Sequence, residues 1–457
     1  MTDKYHSVRP VLDNKLPGVF IETYGCQMNV NDSEVVLAIL QQGGYSLCRK
    51  AEEADLILIN TCSIRENAEQ RIWGRVQNLN SLKKKRPGLI IGVIGCMAER
   101  LKEQLLAHPA VDLAAGPDSY RDLPELLKRI KPGVKQINTE LSPKETYADI
   151  SGVRMDENGV SAFISITRGC NNMCAYCVVP YVRGAERSRD PESIVNEAKT
   201  LFDNGYREVT LLGQNVNSYK WSDPDNNEVV IGFPELLEMV AQINPGLRVR
   251  FTTSHPKDMN ESVLYTMLKY PNICRHIHLP LQSGSNAVLK RMNRKYTTGE
   301  YLSKVEAIRR IIPECSISTD IIAGFCGETQ EDHVETMEVM KKVGYYTSFM
   351  FQYSERPGTK AAREFPDDVP HDEKNRRLNE IIELQNILSL KSNREDIGKE
   401  FEVLVEGNSK RSASQLYGRT SQNKVCVFEA GGHKVGDFVK VRVLSCTSAT
   451  LKCEEIK

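Results

Sequence analysis

The chain has 457 residues, of which 40% are hydrophobic and 26% charged, values that are typical of a globular protein with about two or three domains. Lysine plus arginine and aspartate plus glutamate both number 60, so nucleic-acid binding would have to come from local basic patches. The polar segment 1–15 lacks the apolar stretch of a secretory signal, and the longest apolar run, Leu89–Ala98, is too short to span a bilayer. The thirteen cysteines therefore predict reduced thiols in a cytoplasmic protein.

The first predicted domain, residues 17–135, alternates strands with helices. Strands are predicted at Val19–Tyr24, Leu56–Asn60 and Leu89–Ile94, each followed by a helix. This alternation is typical of a doubly wound parallel sheet in an α/β fold. A cysteine stands just past each of these strands, at Cys26, Cys62 and Cys96.

The carboxyl ends of parallel strands lie on one side of a sheet, so these three thiols are expected to converge. Helix N-termini beside them would favour thiolates, which suits a metal cluster with three protein ligands. The alternative is that each cysteine is a small buried residue in a turn, but their equivalent positions favour the cluster. Cys48 has no such position and is interpreted as packing.

The most specific motif is RGCNNMCAYC, Arg168–Cys177, in which Cys170, Cys174 and Cys177 have the spacing C-x3-C-x2-C. Three thiolates can hold three irons of a four-iron cluster, which leaves the fourth iron position open. An open coordination position usually indicates chemistry, as it does at zinc. The alternative is a zinc knuckle whose fourth ligand is distant in sequence.

This motif opens a second predicted domain, residues 155–390, which contains six strand-like runs separated by helical segments. A partial TIM-type (β/α)6 barrel is therefore predicted, with polar, glycine-rich segments after its strands, where the chemistry of that fold gathers. His255, His276 and His278 lack ligand spacing and are interpreted as structural. The predicted strands are Ala162–Thr167, Glu208–Leu212, Leu247–Thr252, His276–Leu279, Ser316–Ile322 and Tyr346–Tyr353.

Basic residues follow the cysteine motif and occur again near the end of the chain. Arg183 lies in a basic and aromatic stretch, residues 181–189, and is predicted either to touch an anionic substrate or to lie in a solvated loop. The last domain, residues 394–457, has the alternation of a small antiparallel β-barrel of oligonucleotide-binding type. The alternative is a structural or dimerising module. Its predicted phosphate-facing residues are Lys410, Arg411, Arg419 and Lys424.

Together these three parts resemble the methylthiotransferases, radical S-adenosylmethionine (SAM) enzymes with an auxiliary-cluster domain, a radical SAM domain and a C-terminal barrel called TRAM. The segments TYGCQMNVNDSE (Thr23–Glu34), NTCSIRENAEQ (Asn60–Gln70) and RGCNNMCAYCVVPYVRG (Arg168–Gly184) are similar to the MiaB type of that family. Enzymes of that type insert a methylthio group at C2 of N6-isopentenyladenosine, next to the tRNA anticodon at position 37.

The resemblance implies two [4Fe–4S] clusters. Cys26, Cys62 and Cys96 would hold an auxiliary cluster that carries the sulfur, and the cysteines of the motif would hold the cluster that binds SAM and generates the 5′-deoxyadenosyl radical. It also implies isopentenylated tRNA as substrate, an electron donor such as flavodoxin or ferredoxin, and a sulfur source. The residues expected to contact SAM are Tyr176, Gln214, Asn215, Ser254, Gln282 and Asp320.

Other functions remain open on the sequence alone. The same chemistry could act on threonylcarbamoyladenosine in tRNA or on an aspartate of ribosomal protein S12. Sulfur could be inserted without a methyl group, which predicts a thiolated product. A protein of a different class, an RNA-binding protein with structural metal and no catalysis, would be colourless, whereas iron–sulfur clusters are brown.

Overall fold

The computed structural model describes residues 16–62, 66–155, 159–223, 225–226, 228–412 and 414–456. The N-terminal residues 1–15, in which no secretory signal is predicted, and residues 63–65 of the segment NTCSIRENAEQ lie outside the described residues. The described residues form two compact units, one within residues 16–155, 163–173 and 177–197 and one within residues 159–162, 174–176 and 198–456. Within the described ranges, no helix combines the length and the hydropathy needed to cross a membrane.

A six-stranded parallel sheet forms the centre of the first unit, in the order β2-β1-β3-β4-β5-β6. The three strands predicted in this domain are confirmed. The sequence did not reveal the other three, because runs of two or three residues are too short to show a hydrophobic period. The strands are β1 (Gly18–Thr23), β2 (Ser46–Leu47), β3 (Leu56–Thr61), β4 (Ile90–Gly95), β5 (Leu113–Ala115) and β6 (Gln136–Asn138).

Helices cover both faces of this sheet, because the central strands are buried on both sides. Leu56 and Leu58 of β3 belong to one buried cluster with the first helix, whereas Ile57 and Ile59 belong to another with the second helix. Such near-continuous apolar strands are typical of parallel sheets, and the doubly wound fold is confirmed. The helices are α1 (Gln27–Gln42), α2 (Glu66–Lys85), α3 (Cys96–Leu101), α4 (Glu103–Ala107) and α5 (Leu123–Arg129).

The chain then enters the cysteine motif. Strand β7 begins in the second unit, and the short strands β8 and β9 pair antiparallel on either side of the motif, within the first unit. The helix predicted at Pro191–Asp203 has the bounds that were expected. The elements are β7 (Ser161–Ser165), β8 (Thr167–Arg168), α6 (Val179–Arg183), β9 (Arg187–Ser188) and α7 (Pro191–Asp203).

The second unit contains the predicted barrel strands. They form two three-stranded sheets, β13-β10-β7 and β14-β15-β16, and the amide of Cys274 continues the hydrogen bonding from β14 towards β13 through the carbonyl of Val249 at 2.9 Å. Six βα units are thus confirmed. The further strands are β10 (Glu208–Leu212), β11 (Lys220–Ser222), β12 (Val230–Gly232), β13 (Arg248–Thr252), β14 (His276–His278), β15 (Ser316–Ala323) and β16 (Thr347–Gln352).

Helices pack outside these strands. The last of them is the long amphipathic helix predicted before the final domain, and it buries Ile381, Leu384 and Leu388. The helices are α8 (Phe233–Ala241), α9 (Glu261–Lys269), α10 (Asn286–Arg291), α11 (Thr298–Ile311), α12 (Gln330–Val343), α13 (Lys360–Glu364) and α14 (His371–Arg394).

The C-terminal strands form a closed five-stranded barrel in the order β17-β18-β19-β21-β20, with a core that includes Val403, Phe428 and Val441. The sequence predicted an antiparallel barrel, but β19 and β21 pair in parallel. This difference arises because β21 turns back along β20 and closes the barrel against β19. The strands are β17 (Glu400–Asn408), β18 (Gln415–Thr420), β19 (Val425–Glu429), β20 (Phe438–Cys446) and β21 (Leu451–Glu455).

Candidate active site

The three separated cysteines of the first unit converge at the carboxyl ends of its strands. Cys26 precedes α1 as its N-cap, Cys62 follows β3, and Cys96 is the first residue of α3. A hydrogen bond from the Cys62 thiol, the charge of Arg183 and amides at the start of α1 lower the pKa of Cys26 to about 6. Burial raises the pKa of Cys96, and the guanidinium of Arg183 opposes that effect.

Two glycines permit this convergence. Gly25 has φ 127°, and a Cβ on it would lie 2.4 Å from the Cβ of Cys62. Gly95 has φ 88°, and a Cβ on it would lie 2.5 Å from the side-chain oxygen of Asn60. Both conformations lie in the region that disfavours side chains, so the glycines before Cys26 and Cys96 are required by the backbone and by the available space.

A buried amide pair fixes the same strand ends. Asn29 donates to the side-chain oxygen of Asn60 at 3.0 Å, and Asn60 donates back to the carbonyl of Asn29 at 2.8 Å. The side-chain oxygen of Asn29 accepts a hydrogen bond from the Sγ of Cys26 at 3.2 Å, so this pair also contacts one of the thiols. Neither asparagine was predicted from the sequence, although Asn60 gave a signal as a polar residue near the end of an otherwise apolar strand.

Arg183 is buried next to these thiols and contacts one of them, Cys96. Its side chain is 3% exposed, its Nη2 donates to Asp32 at 2.6 Å, and its Nε donates to the Sγ of Cys96 at 3.2 Å. The same carboxylate, which is 0% exposed, accepts from Arg168 at 2.8 Å. The prediction that Arg183 touches substrate from a loop is therefore corrected, and so is the solvated alternative, because this arginine is buried and paired inside the first unit.

The rest of the basic stretch is buried as well. Arg187 donates to Asp118 at 2.9 Å and Arg189 to Glu197 at 2.5 Å. Glu197 is only 8 residues from Arg189, but the local sequence pattern could not reveal the partners of Arg183 and Arg187, because Asp32 and Asp118 are 151 and 69 residues away from them.

The arrangement at Cys26, Cys62 and Cys96 fits an anionic cluster. The buried Nη1 of Arg183 has no hydrogen-bond partner, although it belongs to the side chain that already donates to a thiol. Across the described ranges, no three His, Cys, Asp or Glu side chains are grouped as ligands of a single metal ion. Each cysteine of a four-iron cluster binds a different iron, so three thiols from separate strand ends are a suitable ligand set for such a cluster.

In the first unit, the ends of the cysteine motif receive backbone donors. The amide of Asn172 lies 3.4 Å from the Sγ of Cys170, and the amide of Val179 lies 3.4 Å from the Sγ of Cys177. Amide donors next to cysteine sulfurs stabilise thiolates, which is the state that binds iron.

In the second unit, Cys174 contacts a residue that the sequence analysis did not single out. The Nη1 of Arg294 lies 3.3 Å from its Sγ. The next residue, Ala175, donates to Met292 at 2.8 Å and accepts from Ala361 at 2.7 Å, which fixes the backbone beside the cysteine. The Tyr176 ring packs edge-on against Phe325 at 6.3 Å. Arg294 carried no motif signal, because it follows α10 in a chain segment with several basic residues.

The predicted SAM contacts after β10 and β13 separate into two kinds. Asn215 is 1% exposed and uses its side chain internally, donating to Asp258 at 2.6 Å and accepting from the amide of His255 at 3.1 Å. These contacts fix the backbone next to Gln214, and the expectation that Asn215 binds SAM stays a prediction. Gln214 Oε1 and Ser254 Oγ are buried without partners, which fits residues that bind a polar ligand.

The remaining predicted contacts lie on β15 and beside it. The amide of Gln282, which has φ 70°, donates to the carbonyl of Asp320 at 2.8 Å. The Asp320 carboxylate lies 3.4 Å from the Nε2 of His278, whose ring packs edge-on against Phe349 at 5.8 Å. Asp320 and Phe349 are paired in register on neighbouring strands, so His278, Asp320 and Phe349 lie close together on one face of this sheet.

The basic residues of the C-terminal barrel differ in their accessibility. Lys410 and Arg411 are exposed in the turn after β17. Arg419 is partly buried and paired with Glu406 at 3.3 Å. Lys424 is buried and bonded to Asp396, so its expected place on a phosphate-facing surface is corrected.

Comparisons with known families cover most of the chain. Residues 18–116 match the family described as "Uncharacterized protein family UPF0004", residues 164–340 match the radical SAM superfamily, and residues 394–454 match the TRAM domain.

Similar proteins span the whole length. A tRNA-2-methylthio-N(6)-dimethylallyladenosine synthase of Phocaeicola vulgatus is 57% identical over 97% of this chain and 97% of its own. Proteins of the same name from Bacteroides thetaiotaomicron and Porphyromonas gingivalis are 57% and 54% identical, over 97% and 96% of this chain and 97% and 95% of their own.

Solved structures share the fold at low identity. The radical SAM methyltransferase TsrM from Kitasatospora setae, with tryptophan and a SAM analogue bound, superposes with a TM-score of 0.56 over 76% of this chain and 75% of its own, at 13% identity. The cobalamin-dependent radical SAM enzyme OxsB superposes with a TM-score of 0.51 over 81% of this chain and 56% of its own, also at 13% identity.

Proposed function

Because this chain belongs to the tRNA-2-methylthio-N(6)-dimethylallyladenosine synthases, which are radical SAM tRNA methylthiotransferases, we propose that its two sets of cysteines hold two [4Fe–4S] clusters. The family, the enzyme class and the tRNA substrate predicted from the sequence are thereby confirmed. The ribosomal S12 substrate, threonylcarbamoyladenosine and the non-catalytic RNA-binding function are set aside.

The convergence of Cys26, Cys62 and Cys96 is the observation that carries the proposal of an auxiliary cluster. Three thiols follow three strand ends, and two of them are buried and one is exposed. An ordinary four-iron cluster has four cysteine ligands, and this site supplies three. One iron would therefore be available to carry the sulfur for transfer.

Cys170, Cys174 and Cys177 would hold the second cluster, and Gln214 and Ser254 would bind SAM through their unpartnered buried oxygens. When bound, the cluster and SAM supply the one-electron chemistry that cleaves an unactivated C–H bond, which no side-chain acid or base can do. The chain's own part is to bind and orient the substrate and to exclude water.

The substrate adenine would lie against the face of β14–β16 that carries His278, Asp320 and Phe349. The opposite face is occupied by helix packing, because Ser348 of β16 is bonded to Gln385 of α14 at 3.0 Å. Phe349 is 53% exposed, an unusual state for a large aromatic ring that belongs to a strand of the barrel. We infer that this ring packs against the apolar dimethylallyl group.

The exposed Lys410 and Arg411 of the TRAM barrel would bind tRNA phosphates and contribute affinity. The reaction also requires an electron donor such as flavodoxin or ferredoxin and a source of sulfur for the auxiliary cluster. A protein that modifies tRNA is expected to work in the cytoplasm. The target base would be turned out of its anticodon loop, which single-stranded loops allow at low cost.

Metal analysis of anaerobically reconstituted protein tests the two-cluster proposal. The wild type should contain about eight irons, and the Cys26/Cys62/Cys96→Ala and Cys170/Cys174/Cys177→Ala variants about four each. A matched control replaces the partly buried Cys48, Cys315 and Cys446 with alanine and should retain the wild-type content. Equal iron in the wild type and in either site variant would contradict the assignment.

Substrate assays then test the assigned aromatic contact. Phe349→Ala should lose most of its preference for tRNA carrying N6-dimethylallyladenosine over tRNA with unmodified adenosine, with iron content unchanged. A burial energy of about 1–3 kcal/mol corresponds to roughly a ten- to hundredfold loss of discrimination. An unchanged preference would remove Phe349 from the substrate site.

A further inference from the structure

The buried charges beneath the auxiliary cysteines do not balance. Three arginines, Arg168, Arg183 and Arg187, share two carboxylates, Asp32 and Asp118, in a single network of ion pairs. Within this network the arginines therefore outnumber the carboxylates by one. A buried excess charge is costly unless an opposite charge is placed beside it.

Arg183 is the member of this network that faces the thiols. Asp32 holds its Nη2, which leaves the other two nitrogens of the guanidinium directed elsewhere. The Nε reaches the Sγ of Cys96 at 3.2 Å, and Nη1 is buried without a hydrogen-bond partner among the described residues. Arginine presents its donors in a rigid plane, so fixing one edge on a carboxylate also fixes the direction of the remaining donors.

Tyr120 and Tyr147 stiffen this arrangement. The Tyr120 hydroxyl donates to Asp32 at 3.3 Å, and the guanidinium of Arg168 lies 4.8 Å from the centre of the Tyr147 ring. The carboxylate that orients Arg183 is therefore held from several sides, which is the arrangement expected of a group that positions another.

We propose that Arg183 donates hydrogen bonds to the auxiliary cluster, through Nε to the Cys96 thiolate and through Nη1 to a sulfur that the cluster brings. The positive charge of the Arg183 guanidinium then neutralises part of the negative charge of the cluster. Hydrogen bonds and positive charge next to cluster sulfurs raise the reduction potential of the cluster, so Arg183 tunes this centre and helps to retain it. Asp32 is the residue that positions Arg183. This inference rests on the proposed auxiliary cluster.

The test uses full-length protein in which Cys170, Cys174 and Cys177 are replaced by alanine, so that the auxiliary cluster is the one centre expected. Iron, acid-labile sulfide and the midpoint potential, followed by electron paramagnetic resonance during a redox titration, are measured for this parent and for its Arg183→Gln and Arg183→Lys variants. Arg187→Gln is the matched control, since Arg187 is a buried arginine of the same network that donates to Asp118 and to the carbonyls of Ser142 and Glu145.

We expect Arg183→Gln to shift the midpoint potential to a more negative value. Arg183→Lys, which keeps the charge but not the planar set of donors, should show a smaller shift in the same direction, and Arg187→Gln should keep the parent value. Loss of iron in both Arg183 variants, with about four irons retained in Arg187→Gln, would equally support the proposal.

Two results would overturn it. One is a full complement of iron with the parent potential in both Arg183 variants. The other is an equal shift, or an equal loss of iron, in Arg187→Gln, which would assign the effect to the charge network as a whole. A parent that binds no cluster would instead refute the proposed auxiliary centre itself, and with it this inference.

Discussion

The two cysteine sets of this protein depend on different levels of structure. Cys170, Cys174 and Cys177 lie within eight consecutive residues, so the chain itself keeps their sulfurs near one another. Cys26, Cys62 and Cys96 are 36 and 34 residues apart and come together because three parallel strands end on the same side of a sheet. The first group, here called the local set, needs only its own short segment to keep its sulfurs together. The second group, here called the topological set, depends on every contact that fixes the three strand ends.

The largest effect is expected from a substitution that changes the backbone beside the topological set. Gly95→Ala would place a Cβ 2.5 Å from the Asn60 side-chain oxygen and 2.9 Å from the carbonyl of Thr61, at a φ that alanine disfavours. We expect Cys96 to be displaced and iron to fall from about eight to about four per chain. Gly74→Ala, in a helix with open space around the new methyl group, is the control and should keep all its iron. Retention of eight irons by Gly95→Ala would contradict the strict dependence on backbone geometry.

The next largest effect is expected from a substitution in the buried ion-pair network next to the topological set. Asp32→Asn would leave Arg168 and Arg183 buried without their carboxylate, and breaking a buried pair typically costs about 3–5 kcal/mol. The midpoint of urea unfolding, followed by circular dichroism, should fall accordingly. Asp149→Asn removes an exposed partner of Arg121 and should cost at most about 1 kcal/mol. Similar losses in the two variants would show that the buried network is not structurally important.

A smaller effect is expected at the local set. Arg294→Gln removes the donor 3.3 Å from the Sγ of Cys174, but the motif remains intact, so iron should stay at about eight. The rate of SAM cleavage should fall by about tenfold, equivalent to roughly 1.4 kcal/mol. Arg291→Gln is a suitable comparison, because Arg291 bonds to the carbonyls of Cys326 and Gly327 instead. Loss of half the iron in Arg294→Gln would mean that the local set is as dependent on distant contacts as the topological one.

The smallest effect is expected from substitutions in the C-terminal barrel, which should leave both sets of cysteines unchanged. Replacing Lys410 and Arg411 with alanine should weaken tRNA binding on the order of three- to tenfold and reduce the salt dependence of the Kd by roughly one to two units of slope. A control with Lys84 and Lys85 replaced, two exposed lysines at the end of α2, removes the same charge from another surface. Equal effects of the two double variants would point to overall charge instead of a binding surface.

The sequence predicted those features that local pattern encodes. Strand β10 was predicted with its exact bounds, Glu208–Leu212, because an apolar run and its flanking turns are visible in the residues themselves. The convergence of Cys26, Cys62 and Cys96 was predictable from strand order, which is a rule about connections. In both cases the relevant information lies within one βα unit or in its repetition.

The features it missed are pairs of distant residues. Arg183 stands among basic and aromatic residues, which favoured a surface role, but its partner Asp32 is 151 residues earlier in the chain. Nothing near either residue indicates that a carboxylate and a guanidinium will be buried together. Asn29 and Asn60 and the contact of Arg294 with Cys174 were missed for the same reason.

The outermost strands of the six-stranded sheet have a consequence for handling the protein. Strand β2 is two residues long and β6 is three, so the margins of this sheet offer few free amide and carbonyl groups to another chain. The C-terminal barrel is closed and has no free margin. Short or absent margins are a common protection against intermolecular strand pairing. At the high concentrations that spectroscopy demands, neither of these β structures is expected to seed aggregation.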